Sequence, residues 1–116
     1  MDVAWTQWAF NANGSTGTLS ILKKDAAGNL EVFVEFDGLD RQDAWKGQWD
    51  APSEQIILRR FLPGGAVQEH VGYAGTNDPN NLILAGYFTE SDVPSGSPRQ
   101  RFGWFANNPA PLFHPV

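Results

Sequence analysis

The chain is 116 residues long with a formal net charge of -5, enough to close one hydrophobic core and too short for two. Hydrophobic residues make up 41%, and eight Phe, five Trp and two Tyr exclude a disordered chain, while eight scattered Lys and Arg exclude a nucleic-acid partner, whose phosphates require clustered basic groups. No run approaches the ~20 apolar residues of a membrane span, and the absence of cysteine removes disulfides, thiolate nucleophiles and thiolate metal sites together.

Met1 to Trp8 carries neither the basic segment nor the apolar run of a signal peptide. The chain therefore reads as soluble, its compartment otherwise open, with the cytoplasm favoured. Beyond Met1, period-2 alternation dominates, and no window of eleven residues carries a helical stripe. The first predicted strand covers 4–12. The polar turn Asn13-Gly14-Ser15-Thr16-Gly17 leads into a second over 17–24, and Asp25-Ala26-Ala27-Gly28-Asn29 into a third over 30–37. On the third, Glu31, Glu35 and Asp37 share the solvent face, opposite inward Leu30, Val32, Val34 and Phe36. The link Gly38 to Asp43 has room for a helical turn before the fourth strand, 44–50. The fifth, 54–62, meets the sixth, 66–75, through Pro63-Gly64-Gly65. Asp78-Pro79-Asn80-Asn81 precedes the seventh, 82–90, and Asp92 to Pro98 reads as a flexible loop before the eighth, 100–107.

Short links imply sequential antiparallel hairpins. Four strands hold a glycine closely followed by an aromatic: Gly47-Gln48-Trp49, Gly72-Tyr73, Gly86-Tyr87-Phe88 and Gly103-Trp104-Phe105. Strand glycines mark the bends that let a sheet close. The fold predicted is all-β, a single antiparallel up-and-down β-barrel of about eight strands, with a two-sheet sandwich as the alternative. Residues 1–107 form the domain, and 108–116, with three prolines, an extended tail that cannot donate a regular ladder. An eight-stranded barrel has room for side chains or one small ligand.

Few residues suit catalysis. Of the two histidines, His114 lies in the tail, and His70 has Glu69 on the opposite strand face, so it reads as a half-buried group hydrogen-bonded across the sheet. Glu31 and Glu35 are ~13 Å apart along their strand, beyond either glycosidase geometry. With no thiolate and two distant histidines, no metal site is expected, and Gly64-Gly65 lacks the lysine of a phosphate loop. Either Arg59 or Arg60 points inward. A buried guanidinium needs a partner or an anion, unless its head reaches water at a barrel end.

Two features exceed structural need: the polar cluster Asn11, Asn13, Ser15 and the five tryptophans, whose indole N–H must be satisfied wherever it is buried. Trp8 followed by Asn11-Ala-Asn-Gly14-Ser15-Thr16 resembles the first strand of the avidin/streptavidin family, with its Trp and Asn-x-x-Gly-Ser. Trp45-Lys-Gly47-Gln48-Trp49 is similar to that family's Trp-x-Gly-Gln-Tyr strand, and Arg101-Phe-Gly103-Trp104-Phe to its Gly-aromatic strand. The order of the last two is reversed here, and Trp8 stands three residues before Asn11 where the family has two. The resemblance implies an eight-stranded meander barrel in which Asn11 and Ser15 bond the ureido oxygen of biotin.

The leading expectation is a non-enzymatic barrel without a cofactor, holding a small molecule or carbohydrate at the end formed by the first hairpin. Asn11, Asn13 and Ser15 supply polar contacts there, and Trp45, Trp49 and Trp104, each beside a strand glycine, supply walls. The alternatives are a plugged barrel whose exposed aromatics build a homo-oligomer, and an isomerase or cyclase using His70 and an inward arginine. Binding implies a polar cavity; assembly implies a filled interior and an apolar face.

Overall fold

A computed structural model describes residues 3–75, 82–91 and 101–108 of the chain. Eight strands follow in order: β1 Thr6–Ala12, β2 Ser15–Lys24, β3 Asn29–Phe36, β4 Ala44–Asp50, β5 Gln55–Phe61, β6 Val67–Gly75, β7 Leu82–Glu90 and β8 Phe102–Asn108. Each pairs antiparallel with the next, and β8 returns to β1, closing an up-and-down barrel with no helix among the described residues. The sandwich alternative is thereby set aside. The expected turn at 78–81, the loop 92–98, and the tail beyond Asn108 with His114 lie outside the described residues. Asn108 itself belongs to the last strand, and its side-chain amide donates to the Gln7 carbonyl at 2.7 Å.

The first hairpin is tighter than its polar sequence suggests. Asn13 and Gly14 both have positive φ, 51° and 93°, and Ala12 pairs directly with Ser15. Positive φ at both central residues is what a two-residue type I′ turn demands. Ser15 and Thr16 consequently join β2.

The link after β3 holds no helical turn. Beyond Asn29↔Gln48 and Leu30↔Gly47, β3 and β4 have no paired residues. The link instead runs along the parted seam, where the Gln42 amide donates to the Val34 carbonyl at 2.9 Å and supplies a partner that a paired strand would otherwise provide.

Alternation sends Trp8, Phe10, Leu19, Ile21, Val34, Ile56, Leu58 and Leu84 inward, where they form a filled core. The strand glycines open interior space. Gly72 and Gly86 face each other on β6 and β7, and a Cβ at Gly86 would meet the Val71 carbonyl oxygen at 1.9 Å. A Cβ at Gly72 would meet Trp104 Cζ2 at 2.5 Å, so the indole occupies the room these glycines leave. The aromatics beside them, Tyr73 and Tyr87, point outward.

Candidate functional site

Residues 13–14, 37–43 and 62–66 all connect strands at one end of the barrel, and there a cavity of about 280 Å³ indents the otherwise filled interior. Its polar side starts from a cross-strand row. Trp45, Arg60, Gln68 and Glu90 stand directly opposite one another on β4 to β7, so they share the inner face. Alternation from Ile56 and Leu58 turns Arg60 inward and leaves Arg59 to pair with Glu69 on the outside.

The Arg60 side chain is 12% exposed, and each of its three guanidinium nitrogens has a partner. Nε and Nη2 reach Asp43 Oδ2 at 2.8 and 2.7 Å, and Nη1 donates to Gln68 Oε1 at 3.3 Å. Its plane lies 4.7 Å from the Phe36 ring centroid and 5.9 Å from that of Trp45. Gln68 passes the chain on, donating through Nε2 to Glu90 Oε1 at 3.0 Å. Hydrogen bonding from Arg41, reinforced by Arg60 and opposed by burial, holds the Asp43 carboxyl below the usual carboxylate range. Phe36, Phe88, Phe102 and Ala12 supply the apolar side of the cavity, and Asn13 and Ser15 stand at its edge.

Removing one partner of such a pair strands the other charge. Asp43→Ala is expected to cost about 2–3 kcal/mol in urea unfolding, just below the ~3–5 kcal/mol of a fully buried pair because Arg60 keeps some water contact. Replacing both, as Asp43→Leu with Arg60→Met, should recover most of that loss. Equal stability of Asp43→Ala and the wild type would contradict the pairing.

Of the six residues singled out by sequence, two line this cavity: Asn13 and Ser15. Asn11 sits opposite Phe105 on the outer face, and its Oδ1 accepts the Gly14 N–H at 2.8 Å, so it caps the turn. Trp49 lies at the other end of the barrel, beside Gly28, whose carbonyl takes the Trp49 N–H at 2.8 Å. Trp104 is 2% exposed, stacked 5.5 Å from Phe10, with its indole N–H shared between the Val71 and Tyr87 carbonyls. Trp45 is buried and stands behind the cavity wall, near Arg60 and Phe36. The room at Gly72 is thus filled by the Trp104 indole, and phenylalanines line the cavity. Trp5, by contrast, is exposed outside the barrel.

His70 also departs from expectation. It is 1% exposed, and neither ring nitrogen has a hydrogen-bond partner. The ring stacks 4.5 Å from Phe88, with Phe10, Trp45 and Trp104 around it. Desolvation pushes its pKa from 6.5 down to about 3, assisted by the Arg60 charge and opposed by the nearby Leu58 and Gln68 backbone, which does not reach either nitrogen in hydrogen-bonding geometry. The surrounding rings offer the imidazole no hydrogen bond.

Arg60, Gln68, Glu90 and the three phenylalanines were not assembled from sequence. The signal was present in the alternation: at one end of three successive strands, a polar residue stands at an inward position next to an inward apolar or buried one, Leu58 before Arg60, Gln68 before His70 and Phe88 before Glu90. Among the described residues, no group of three or more His, Asp or Glu could hold a metal ion. Comparison with protein-family models, with curated proteins and with solved structures gives no match to this chain.

Proposed function

We propose that the chain is a non-enzymatic binding module that takes one small polar ligand into the hairpin-end cavity. The observation that carries this reading is the hydrogen-bonded row Asp43–Arg60–Gln68–Glu90, whose last three members are at least partly shielded from water yet line an open concavity. Such a row is more polar than barrel closure needs, and convergent polar groups against an apolar wall are how ligand pockets fix orientation. The cavity is at the small end of the usual ~300–1,000 Å³. Catalysis is not supported: His70 is uncharged, unpartnered and walled in by rings, with no carboxylate to orient it. An avidin-like mode keeps only Ser15 at the cavity, because Asn11 spends its carbonyl oxygen on its own turn.

Titrating biotin, glucose and N-acetylglucosamine by calorimetry tests the binding reading, together with a Ser15→Phe variant that fills the cavity. Saturable heat that disappears in Ser15→Phe supports it. Binding that survives Ser15→Phe moves the ligand elsewhere.

The outer face favours self-association as a second property. Ile57, Val71 and Tyr87 form one outward row over β5 to β7, and Tyr73, Ala85 and Phe105 the next over β6 to β8. Tyr73 is 52% and Phe105 44% exposed. In a chain carrying -5, these rows hold no carboxylate among the described residues, and the Arg101 guanidinium lies 4.8 Å from the Tyr87 ring centroid, so two copies can meet here without opposing carboxylates. Sedimentation at micromolar concentration should give twice the 12.8 kDa chain mass, and Phe105→Glu should halve it; a wild-type monomer would contradict the proposal.

A further inference from the structure

We infer that the ligand taken by this cavity is a small organic ammonium ion, held through Glu90; the inference rests on the binding reading above. Its basis is which groups of the row remain unspent. Arg60, the obvious anchor for an anion, has Nε and Nη2 on Asp43, Nη1 on Gln68 and its faces against Phe36 and Trp45. Asp43 is 5% exposed and takes both Arg41 and Arg60. Gln68 uses its carbonyl for Arg60 and its amide for Glu90. Glu90 ends the chain. One of its oxygens accepts from Gln68, and among the described residues the other has no partner, though the side chain is only partly exposed and borders the cavity.

Charge follows the same pattern. Arg60 is matched by Asp43 at 2.7 Å, and Arg41 stands half in water, where its charge is screened. Among the described residues, Glu90 is then the charge at the cavity wall with no counter-ion. His70, behind Phe88, is neutral at physiological pH and opposes no cation from beneath.

The rest of the wall suits the same guest. Phe36 has a face towards Arg60 and Phe88 one stacked on His70, and the ring surface that these two and Phe102 leave to the cavity covers a hydrocarbon body and attracts a cation where a π-face is open. Asn13 and Ser15 add neutral oxygens, so an ammonium group with several N–H donors meets acceptors on more than one side. An anion would meet an Arg60 whose charge Asp43 already matches, and the Glu90 carboxylate beside it. The net charge of -5 draws cations towards the molecule before contact.

Three probes of one shape separate the possibilities: benzylammonium, benzyl alcohol and benzoate, titrated into the full chain by calorimetry. Benzylammonium should bind at least tenfold more tightly than benzyl alcohol, and benzoate should not bind. Glu90→Gln, whose amide oxygen still accepts from Gln68 and so preserves the row, should weaken benzylammonium about 10- to 100-fold, the loss of a charge-assisted contact, and leave benzyl alcohol unchanged. If benzyl alcohol or benzoate binds as well as benzylammonium, and Ser15→Phe blocks it, the cavity is a binding site but the cation assignment is overturned. If no probe binds, the cation assignment is overturned, and if biotin and the sugars fail as well, so is the binding reading.

Discussion

Lowering the pH from 7 to 4 is expected to remove about 3 kcal/mol of folding stability through His70 alone. The folded imidazole titrates near 3 and an unfolded one near 6.5, so between those values the unfolded chain holds more protons. The contribution is therefore present above pH 6.5 and is lost as the pH falls through the window towards 3. Burial among Phe10, Trp45, Phe88 and Trp104 is the main cause, and Arg60 is the charged group that adds to it. Asp25 and Asp43 also have lowered pKa values, but their stabilisation fades chiefly below the ordinary 3.8, which leaves pH 4 to 6.5 to His70. His70→Leu, similar in volume and without unpaired nitrogens, should flatten urea-unfolding stability across that window. At pH 7 it should also gain about 1 kcal/mol, since two unsatisfied polar atoms cost more than the lost ring stacking. Parallel pH profiles for His70→Leu and the wild type would contradict this account.

Trp104→Ala should cost about 3–5 kcal/mol, the penalty for emptying a large buried aromatic site. The cavity cannot collapse easily, because its other walls are Gly72 and Gly86, which have no side chains to move, and the paired backbone of β6 and β7. The variant also strands the Val71 and Tyr87 carbonyls that share the indole N–H. For a domain of this size the midpoint of thermal unfolding should fall by about 15 °C or more. Trp5→Ala, at a residue 74% exposed, should leave it unchanged. A shift for Trp104→Ala of under about 5 °C would mean that the glycines are not supported by the indole.

The barrel was legible because its signals are local. Asn13-Gly14 specifies a tight hairpin, alternation over 30–37 sorts Glu31 and Glu35 from Val32 and Val34, and short links leave sequential pairing as the simplest topology. The site was legible only in part. Asn13 and Ser15 were found because polar groups beside a turn stand out. Arg60, Gln68 and Glu90 come together through register across three strands, and a slip of one residue in any of them would send its polar group outside. The tryptophans beside strand glycines are expected as cavity walls, and Trp104 shows why position next to a glycine does not give that. Gly72 and Gly86 instead open space inward, and Trp104 fills it. The expected cross-strand partner of His70 is missing, because packing among rings in the barrel centre leaves both its nitrogens without a hydrogen bond.

The central claim, that a ligand enters the hairpin end of the barrel, is tested most directly by following backbone amides and tryptophan indoles by ¹H–¹⁵N correlation spectra during a benzylammonium titration. Trp45 and Trp49 lie on one strand, four residues apart, but serve opposite ends. The account predicts saturable shifts for the Trp45 indole and for the amides of Asn13, Ser15, Gln68 and Glu90, with Trp49, Gln48 and Gln55 unmoved. Shifts confined to Trp49 and its neighbours, or to the outer row of Tyr73 and Phe105, would contradict it.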